Sequence, residues 1–313
     1  ASFLPGPNST VEEKLPNVFM HAIDLTEGAV LETGCVYIVP LIERVEFSAR
    51  VSGIANPKSS TGRIDVFTRL ITDYAQAFDR IEPGYRGPLF AEISPRTFPV
   101  LVRKNSRLNQ LRVRSGNPQF TDTQLKRLHA ETPLVDTEPD IDNGLGFSID
   151  LKGTGASERI GWRAKRHTAL IDVDRRNYLN PADYWEPVTA QPSGTIILDP
   201  DEFYILASRE AVAIPPDYAA EMVPFNPLVG EFRVHYAGFF DPGFGYEAGR
   251  PPTSRAVLEV RSREVPFILE HGQIIGRLVF ERLTDPPPEV YGEGMGSNYQ
   301  RQGLKLSKHF RLP

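Results

Sequence analysis

The sequence predicts an all-β protein with few short helices, assembled from two tandem copies of one unit. Three observations carry this. The 313 residues include 25 glycines and 28 prolines, well above an ordinary combined usage of about 12%, which disfavours long helices and favours short strands joined by turns. Strand-length segments alternate as half-buried strands do: within 256–261, Ala256, Leu258 and Val260 share one face while Val257, Glu259 and Arg261 share the other. Segments also recur at a fixed spacing. Leu31-Glu32-Thr33-Gly34-Cys35-Val36-Tyr37-Ile38 returns loosely as Leu198-Asp199-Pro200-Asp201-Glu202-Phe203-Tyr204-Ile205, and 86–93 resembles 253–260, both displaced by 167 residues.

The elements follow in order along each copy. The turn Ile81-Glu82-Pro83-Gly84-Tyr85 matches Phe240-Asp241-Pro242-Gly243-Phe244 at a displacement of 159, so loops of unequal length intervene. After Glu92 come strands over 98–102 and 107–113, and after Glu259 strands over 267–269 and 274–282. Between the copies, 124–131 reads as a helix with Asp122 as N-cap, and 132–143, rich in proline and acid, reads as linker. The expected organisation is a first β unit over 1–118, a linker with a short helix over 119–145, and a second β unit with a C-terminal tail over 146–313.

Composition narrows the function. Apolar residues make up 40%, enough for a core. A net charge of −5 argues against a nucleic-acid binder. No apolar run of about 18 residues offers a membrane span, and 1–10 has neither the basic start nor the apolar stretch of a signal peptide. The single cysteine, Cys35, excludes an intrachain disulfide and a CxxC site and makes the cytoplasm the expected compartment. His129-Ala130-Glu131 fits half of a zinc deaminase signature, but its PCxxC half cannot exist with one cysteine, so no zinc is expected. Trp162 and Trp185 read as packing residues.

The densest polar group is Asn56-Pro57-Lys58-Ser59-Ser60-Thr61-Gly62-Arg63. Lys58 offers a point charge, Arg63 a bidentate fork and Ser59 and Ser60 neutral donors, a set that suits a phosphate chain. The same residues also suit an ordinary Ser/Thr-rich turn with solvated charges. The second copy lacks this segment, and only Arg233 stands near the place of Arg63. It has instead a turn through Ala237, Gly238 and Asp241, and a polar tail over 291–308 that reads as either disordered or a lid over a bound anion. Glu92 and Glu259 occupy the same place on equivalent strands, facing away from the aliphatic side; read plainly, they face solvent.

Together these motifs resemble the dCTP deaminases and the related dUTPases. Residues 58–63 resemble the family's R-S-S-L-x-R segment, and Phe240–Phe244 with Val257-Leu258-Glu259-Val260 resembles its I-D-P-G-[FW] hairpin and glutamate strand. His271-Gly272-Gln273-Ile274-Ile275-Gly276-Arg277-Leu278 is similar to P-G-x-x-I-G-x-L, and Tyr299-Gln300-Arg301-Gln302-Gly303 to the Y-Q-x-Q-x-G tail. The resemblance implies two dUTPase-like distorted β-barrel or jelly-roll (β-clip) units, a homo-oligomer, and zinc-independent hydrolysis of dCTP to dUTP and ammonia, with Mg2+ carried on the triphosphate. It implies dTTP as a feedback inhibitor and a role in supplying dUMP and dTTP synthesis.

Carried over by position, Glu259 is the general base and acid, Glu92 its counterpart, and Ser59 holds the attacking water. Lys58, Ser60 and Arg63 meet the phosphates; Ala237, Gly238 and Asp241 line the base and sugar; Tyr291, Gln302 and Lys305 close over the phosphates. Lys58 departs from the family's arginine, trading a fork for a point charge. Since one copy keeps the phosphate segment and the other the pocket and tail, a composite site with Glu259 is expected, with Glu92 as the alternative. A dUTP diphosphatase on the same fold, or a nucleotide binder without turnover, are the competing readings; the diphosphatase's Gly-rich R-G-x-G-G-F-G loop is absent.

Overall fold

The computed structural model describes residues 1–153, 158–224, 232–235, 238–262, 264–291 and 303–311, with 224 and 232–235 taken through their backbone. Strands dominate. They are β1 Ala29–Leu31, β2 Tyr37–Glu46, β3 Val51–Pro57, β4 Val66–Thr72, β5 Arg80–Ile81, β6 Arg86–Pro95, β7 Val100–Val102, β8 Asn109–Ser115, β9 Leu145–Ser148, β10 Arg159–Ala164 and β11 Ile171–Asp172. There follow β12 Trp185–Thr189, β13 Thr195–Leu198, β14 Phe203–Val212, β15 Tyr218–Pro224, β16 Phe232–His235, β17 Phe239–Phe240, β18 Ser254–Ser262, β19 Phe267–Glu270 and β20 Ile274–Arg282. Short helices α1 Val11–Lys14, α2 Ser59–Gly62, α3 Asp122–Glu131 and α4 Pro181–Tyr184 punctuate them.

The repeat is written in the strand register. Ile38 faces Glu92 across β2 and β6, and Ile205 faces Glu259 across β14 and β18, each residue 167 further on. The bulge falls at the same place in both pairs, between Pro40 and Arg44 and between Ala207 and Ala211. Val51 opposite Ser115 likewise becomes Tyr218 opposite Arg282, and Ala29 opposite Val102 becomes Ile196 opposite Leu269. Gly53 opposite Ile81 becomes Ala220 opposite Phe240, the second members 159 apart, so the loops on either side of β5 and β17 differ in length and compensate before β6 and β18. Sheets β2-β6-β4 and β5-β3-β8 thus return as β14-β18-β16 and β17-β15-β20, extended by β10 and β12 on the first and by β9 on the second.

Contacts group the chain into two compact units that interleave along the sequence instead of running in series. Unit 1 comprises Ala1–Asn117, Lys165–Asp183 and Ser307–Pro313; unit 2 comprises Pro118–Ala164 and Tyr184–Leu306. The middle segment joins unit 1 because β11 adds in parallel to β7, and Asp172 takes both guanidinium nitrogens of Arg103 at 2.9 Å. The last segment joins it through a bridge between Leu179 and Phe310 and through His309, which is 1% exposed.

His309 holds that segment with both ring nitrogens, Nδ1 lying 2.9 Å from Ser307 Oγ and Nε2 3.0 Å from the Val173 carbonyl. Burial of the ring pushes its pKa down to about 4, against about 6.5 in an unfolded chain. The native state therefore holds it neutral, and its stability is fully present above about pH 6.5. As pH falls from 6.5 towards 4 the unfolded chain takes up the proton first, removing up to about 3 kcal/mol. Urea midpoints measured across that window should fall more steeply for the wild type than for His309→Gln; parallel curves would remove His309 from the account.

Unit 2 builds its core from the inward faces of both sheets, with Leu206 opposite Leu258 on β14 and β18, and Phe147, Leu278 and Phe280 completing the same cluster. Unit 1 has smaller clusters, around Ile71 with Phe90 and around Leu70 with Leu89. Three expectations need correction. The N-cap of α3 is Thr121, not Asp122: Thr121 and Gln124 form a reciprocal capping box, while the Asp122 carboxylate accepts from the Asn143 and Gly144 amides at 2.8 and 2.9 Å. The stretch expected as linker contributes to the unit 2 core through Leu125, Leu128, Leu134 and Val135. Both glutamates are buried, Glu92 at 1% and Glu259 at 4% exposure, because β6 and β18 are central strands covered on both faces. Trp162 and Trp185 are buried, as packing residues should be.

Candidate functional site

The segment 58–63 leaves β3 and closes one turn of helix, α2, before β4. Lys58 donates its amide to the Leu108 carbonyl at 2.8 Å, and Thr61 donates its hydroxyl to the same oxygen at 2.9 Å. Ser307 donates to the Ser60 carbonyl at 2.8 Å. The turn is therefore clamped from two remote segments of unit 1 and does not float as an ordinary surface loop. Ser60 and Arg63 are buried at 6% and 3% exposure, while Lys58 and Ser59 are half-buried. The Lys58 ammonium is held below its usual range by burial first, and then by the Arg107 and Arg176 charges.

Glu92 lies in the same unit, and its environment is set by β4. Arg69, directly opposite it in register, donates Nη2 at 2.5 Å and Nε at 3.1 Å to Glu92 Oε1. The guanidinium is braced by the Phe78 ring at 3.5 Å, by the Phe67 ring at 4.6 Å and by Ser2 Oγ at 2.9 Å. Glu92 Oε2 is buried with no hydrogen-bond partner among the described residues. Glu259 occupies the matching place in unit 2, and the position opposite it on β16 is His235. Register also corrects the place of Arg233: it pairs with Arg261 where Phe67 pairs with Ser94, so it is the counterpart of Phe67, not of Arg63.

In unit 2 the turn after β17 is brought against Tyr291. The Tyr291 amide donates to the Pro242 carbonyl at 2.7 Å, and its ring lies 5.6 Å from the Phe244 ring. Asp241 caps the turn by accepting from the Phe244 amide through its carbonyl at 3.1 Å, and Gly238 accepts from the Met222 amide at 3.2 Å. Gly243 is required here. Its φ is +89°, and a Cβ would meet Val290 Cβ at 2.8 Å and the Tyr291 amide at 3.0 Å. Gly243→Ala should displace Tyr291 and, on the expectation that Tyr291 closes over a nucleotide, raise its KM several-fold while leaving unit 1 unchanged; an unaltered KM would show that Tyr291 does not serve the ligand. Lys305 is half-buried, whereas Ala237 and Gln302 lie outside the described residues.

Of the expected site residues, Lys58, Ser59, Ser60, Arg63 and Glu92 belong to unit 1, and Gly238, Asp241, Glu259, Tyr291 and Lys305 to unit 2. Sequence reasoning missed Arg69, since only the non-local pairing of β4 with β6 puts it on Glu92. His129 is accounted for structurally, its Nδ1 accepting the Leu134 amide at 3.2 Å. Among the described residues no group of three or more His, Cys, Asp or Glu could hold a metal ion, and no helix is long and apolar enough to cross a membrane.

The family model described as 2'-deoxycytidine 5'-triphosphate deaminase N-terminal domain matches residues 1–117, and that for the C-terminal domain matches 121–310. A relative described as "dCTP deaminase, dUMP-forming" from Beutenbergia cavernae is 32% identical over 148 residues, 45% of this chain and 73% of that protein. One with the same description from Halobacterium salinarum is 32% identical over 164 residues, 49% of this chain and 78% of that protein. The crystal structure of 2'-deoxycytidine 5'-triphosphate deaminase from Agrobacterium tumefaciens is similar at a TM-score of 0.86 and 59% identity, covering 92% of this chain and 85% of that one.

Proposed function

The chain belongs to the dCTP deaminase family, and on that premise we propose that it hydrolyses dCTP to dUTP and ammonia with Glu259 moving the proton. Water attacks C4 of the pyrimidine as the Glu259 carboxylate takes one of its protons, since free water, with a pKa of about 15.7, is too poor a nucleophile at neutral pH. Glu259 passes that proton to N3 of the ring. The C4 hydroxyl then gives its remaining proton, through Glu259, to the departing amine, the C4–N bond breaks, ammonia leaves and the C4 carbonyl forms. Ser59 holds the water; Lys58, Ser60 and Arg63 take the triphosphate, which arrives with its Mg2+; Ala237, Gly238 and Asp241 receive base and sugar; Tyr291, Gln302 and Lys305 close over the nucleotide. No transition metal enters the scheme.

One observation supports Glu259 over Glu92. The register position opposite Glu92 is Arg69, whose permanently charged guanidinium is bonded to Oε1, whereas the register position opposite Glu259 is His235, a residue type without a permanent charge. A carboxylate fixed by arginine is a weak proton acceptor, because protonation breaks an ion pair. A second reading assigns the proton to Glu92, and it is favoured by the unpartnered, buried Oε2 and by the presence of Glu92 in the same unit as 58–63.

The product also has two readings, since the relatives described as dUMP-forming suggest cleavage of the α–β phosphate link as well. Ammonia and pyrophosphate are to be measured separately with dCTP and with dUTP. The proposal expects ammonia from dCTP and no pyrophosphate. Equimolar pyrophosphate would establish the dUMP-forming reaction; pyrophosphate from dUTP without ammonia from dCTP would make the chain a dUTP diphosphatase. Nucleotide binding with neither product would leave a non-catalytic binder. Feedback by dTTP, homo-oligomerisation and supply of the dUMP and dTTP pool belong to the same proposal.

A further inference from the structure

The turn at 58–63 sits within a larger gathering of positive charge. Lys58 is tied by its amide to Leu108, which places Arg107 beside it. Lys308 follows Ser307, whose hydroxyl donates to the Ser60 carbonyl, and the Lys308 carbonyl itself accepts the Asn177 amide at 2.9 Å, which brings Arg176 alongside. Hydrogen bonds from three remote segments of unit 1 thus bring Lys58, Arg107, Arg176 and Lys308 into one neighbourhood around the 58–63 turn. Their mutual repulsion is expressed: the Lys308 ammonium is depressed by burial and then by Arg176 and Lys58, and only Asp174 opposes this. Asp174 itself is engaged by Arg103 at 3.3 Å and Ser106 at 2.7 Å, and Asp172 by Arg103. Among the described residues, Lys58, Arg107 and Arg176 form no ion pair. Lys58, Arg107 and Arg176, brought together by an ordered scaffold, repel one another at a cost in stability that a bound polyanion offsets.

We infer that Arg107, Arg176 and Lys308 join Lys58 in binding the triphosphate of the substrate, so that the anion site is completed by segments far outside the 58–63 motif. The inference rests on the nucleotide reading above for the identity of its ligand. Arg107 and Arg176 are exposed, so their loss should not perturb folding. Arg176→Gln, Arg107→Gln and Lys308→Met are to be assayed for KM and kcat with dCTP, and for binding of inorganic tripolyphosphate by calorimetry. Each should raise KM about tenfold and weaken tripolyphosphate to a similar degree, with kcat changed by less than about threefold, tenfold corresponding to about 1.4 kcal/mol. Arg175→Gln, whose guanidinium instead stacks on the Tyr178 ring at 4.3 Å, should leave both unchanged. Unchanged KM and tripolyphosphate affinity in Arg176→Gln and Arg107→Gln, in an enzyme that releases ammonia from dCTP, would overturn the inference and leave the function standing. Tripolyphosphate affinity that falls in these variants, in a chain releasing no ammonia, would support the inference and refute the function.

Discussion

Glu259→Gln should lower the rate of ammonia release from dCTP by about 10²–10⁴-fold, the usual worth of a positioned proton transfer. The substitution keeps size and shape in a site that is 4% exposed, and it removes the ability to accept a proton. Substrate affinity should change little, because the carboxylate acts on the reacting water and not on the phosphates; the loss therefore appears in kcat and kcat/KM together. Glu92→Gln, on the matching strand, should retain activity within a few-fold. A thermal midpoint for Glu259→Gln within a few degrees of wild type, and a Glu92→Gln variant still folded at the assay temperature despite losing its ion pair with Arg69, confirm that rate and not folding is being read. Reversal of the two outcomes would transfer the proton to Glu92.

The second large effect is on stability. Arg69→Met should destabilise unit 1 by about 3–5 kcal/mol, since it strands the Glu92 carboxylate, 1% exposed, without its counter-charge. The stacking of the guanidinium on Phe78 and Phe67 is lost as well. Adding Glu92→Leu should recover most of that cost, because an apolar pair of similar volume dispenses with the buried charge. Urea unfolding of the two single variants and the double variant supplies the cycle. Additive losses would show that the pair contributes little to the fold.

Much of this was legible in the sequence, for a physical reason. Strand periodicity and the repeat are local properties, so the displacement of 167 between 31–38 and 198–205 reappears intact as the register Ile38–Glu92 and Ile205–Glu259. The strand expected over 274–282 is β20, residue for residue. What the sequence hid is non-local. The exposure of Glu92 and Glu259 depends on how both faces of a central strand are covered, and alternation alone cannot report that. Arg69 lies far from Glu92 along the chain, and Arg107, Arg176 and Lys308 lie far from 58–63; only strand pairing and the return of 307–311 to unit 1 bring them to those neighbours. Asp122 and Thr121 are both good caps; the choice between them was made by the amides of residues 143 and 144, twenty-odd positions away.

The central claim is that a carboxylate alone, with no transition metal, deaminates the cytosine ring of dCTP. The most direct measurement is the yield of ammonia and uracil nucleotide from dCTP by enzyme dialysed against a strong chelator and then supplied only with Mg2+. Full, one-to-one yields at the untreated rate are predicted. Activity abolished by the treatment and restored by zinc, with Mg2+ present throughout, would contradict it.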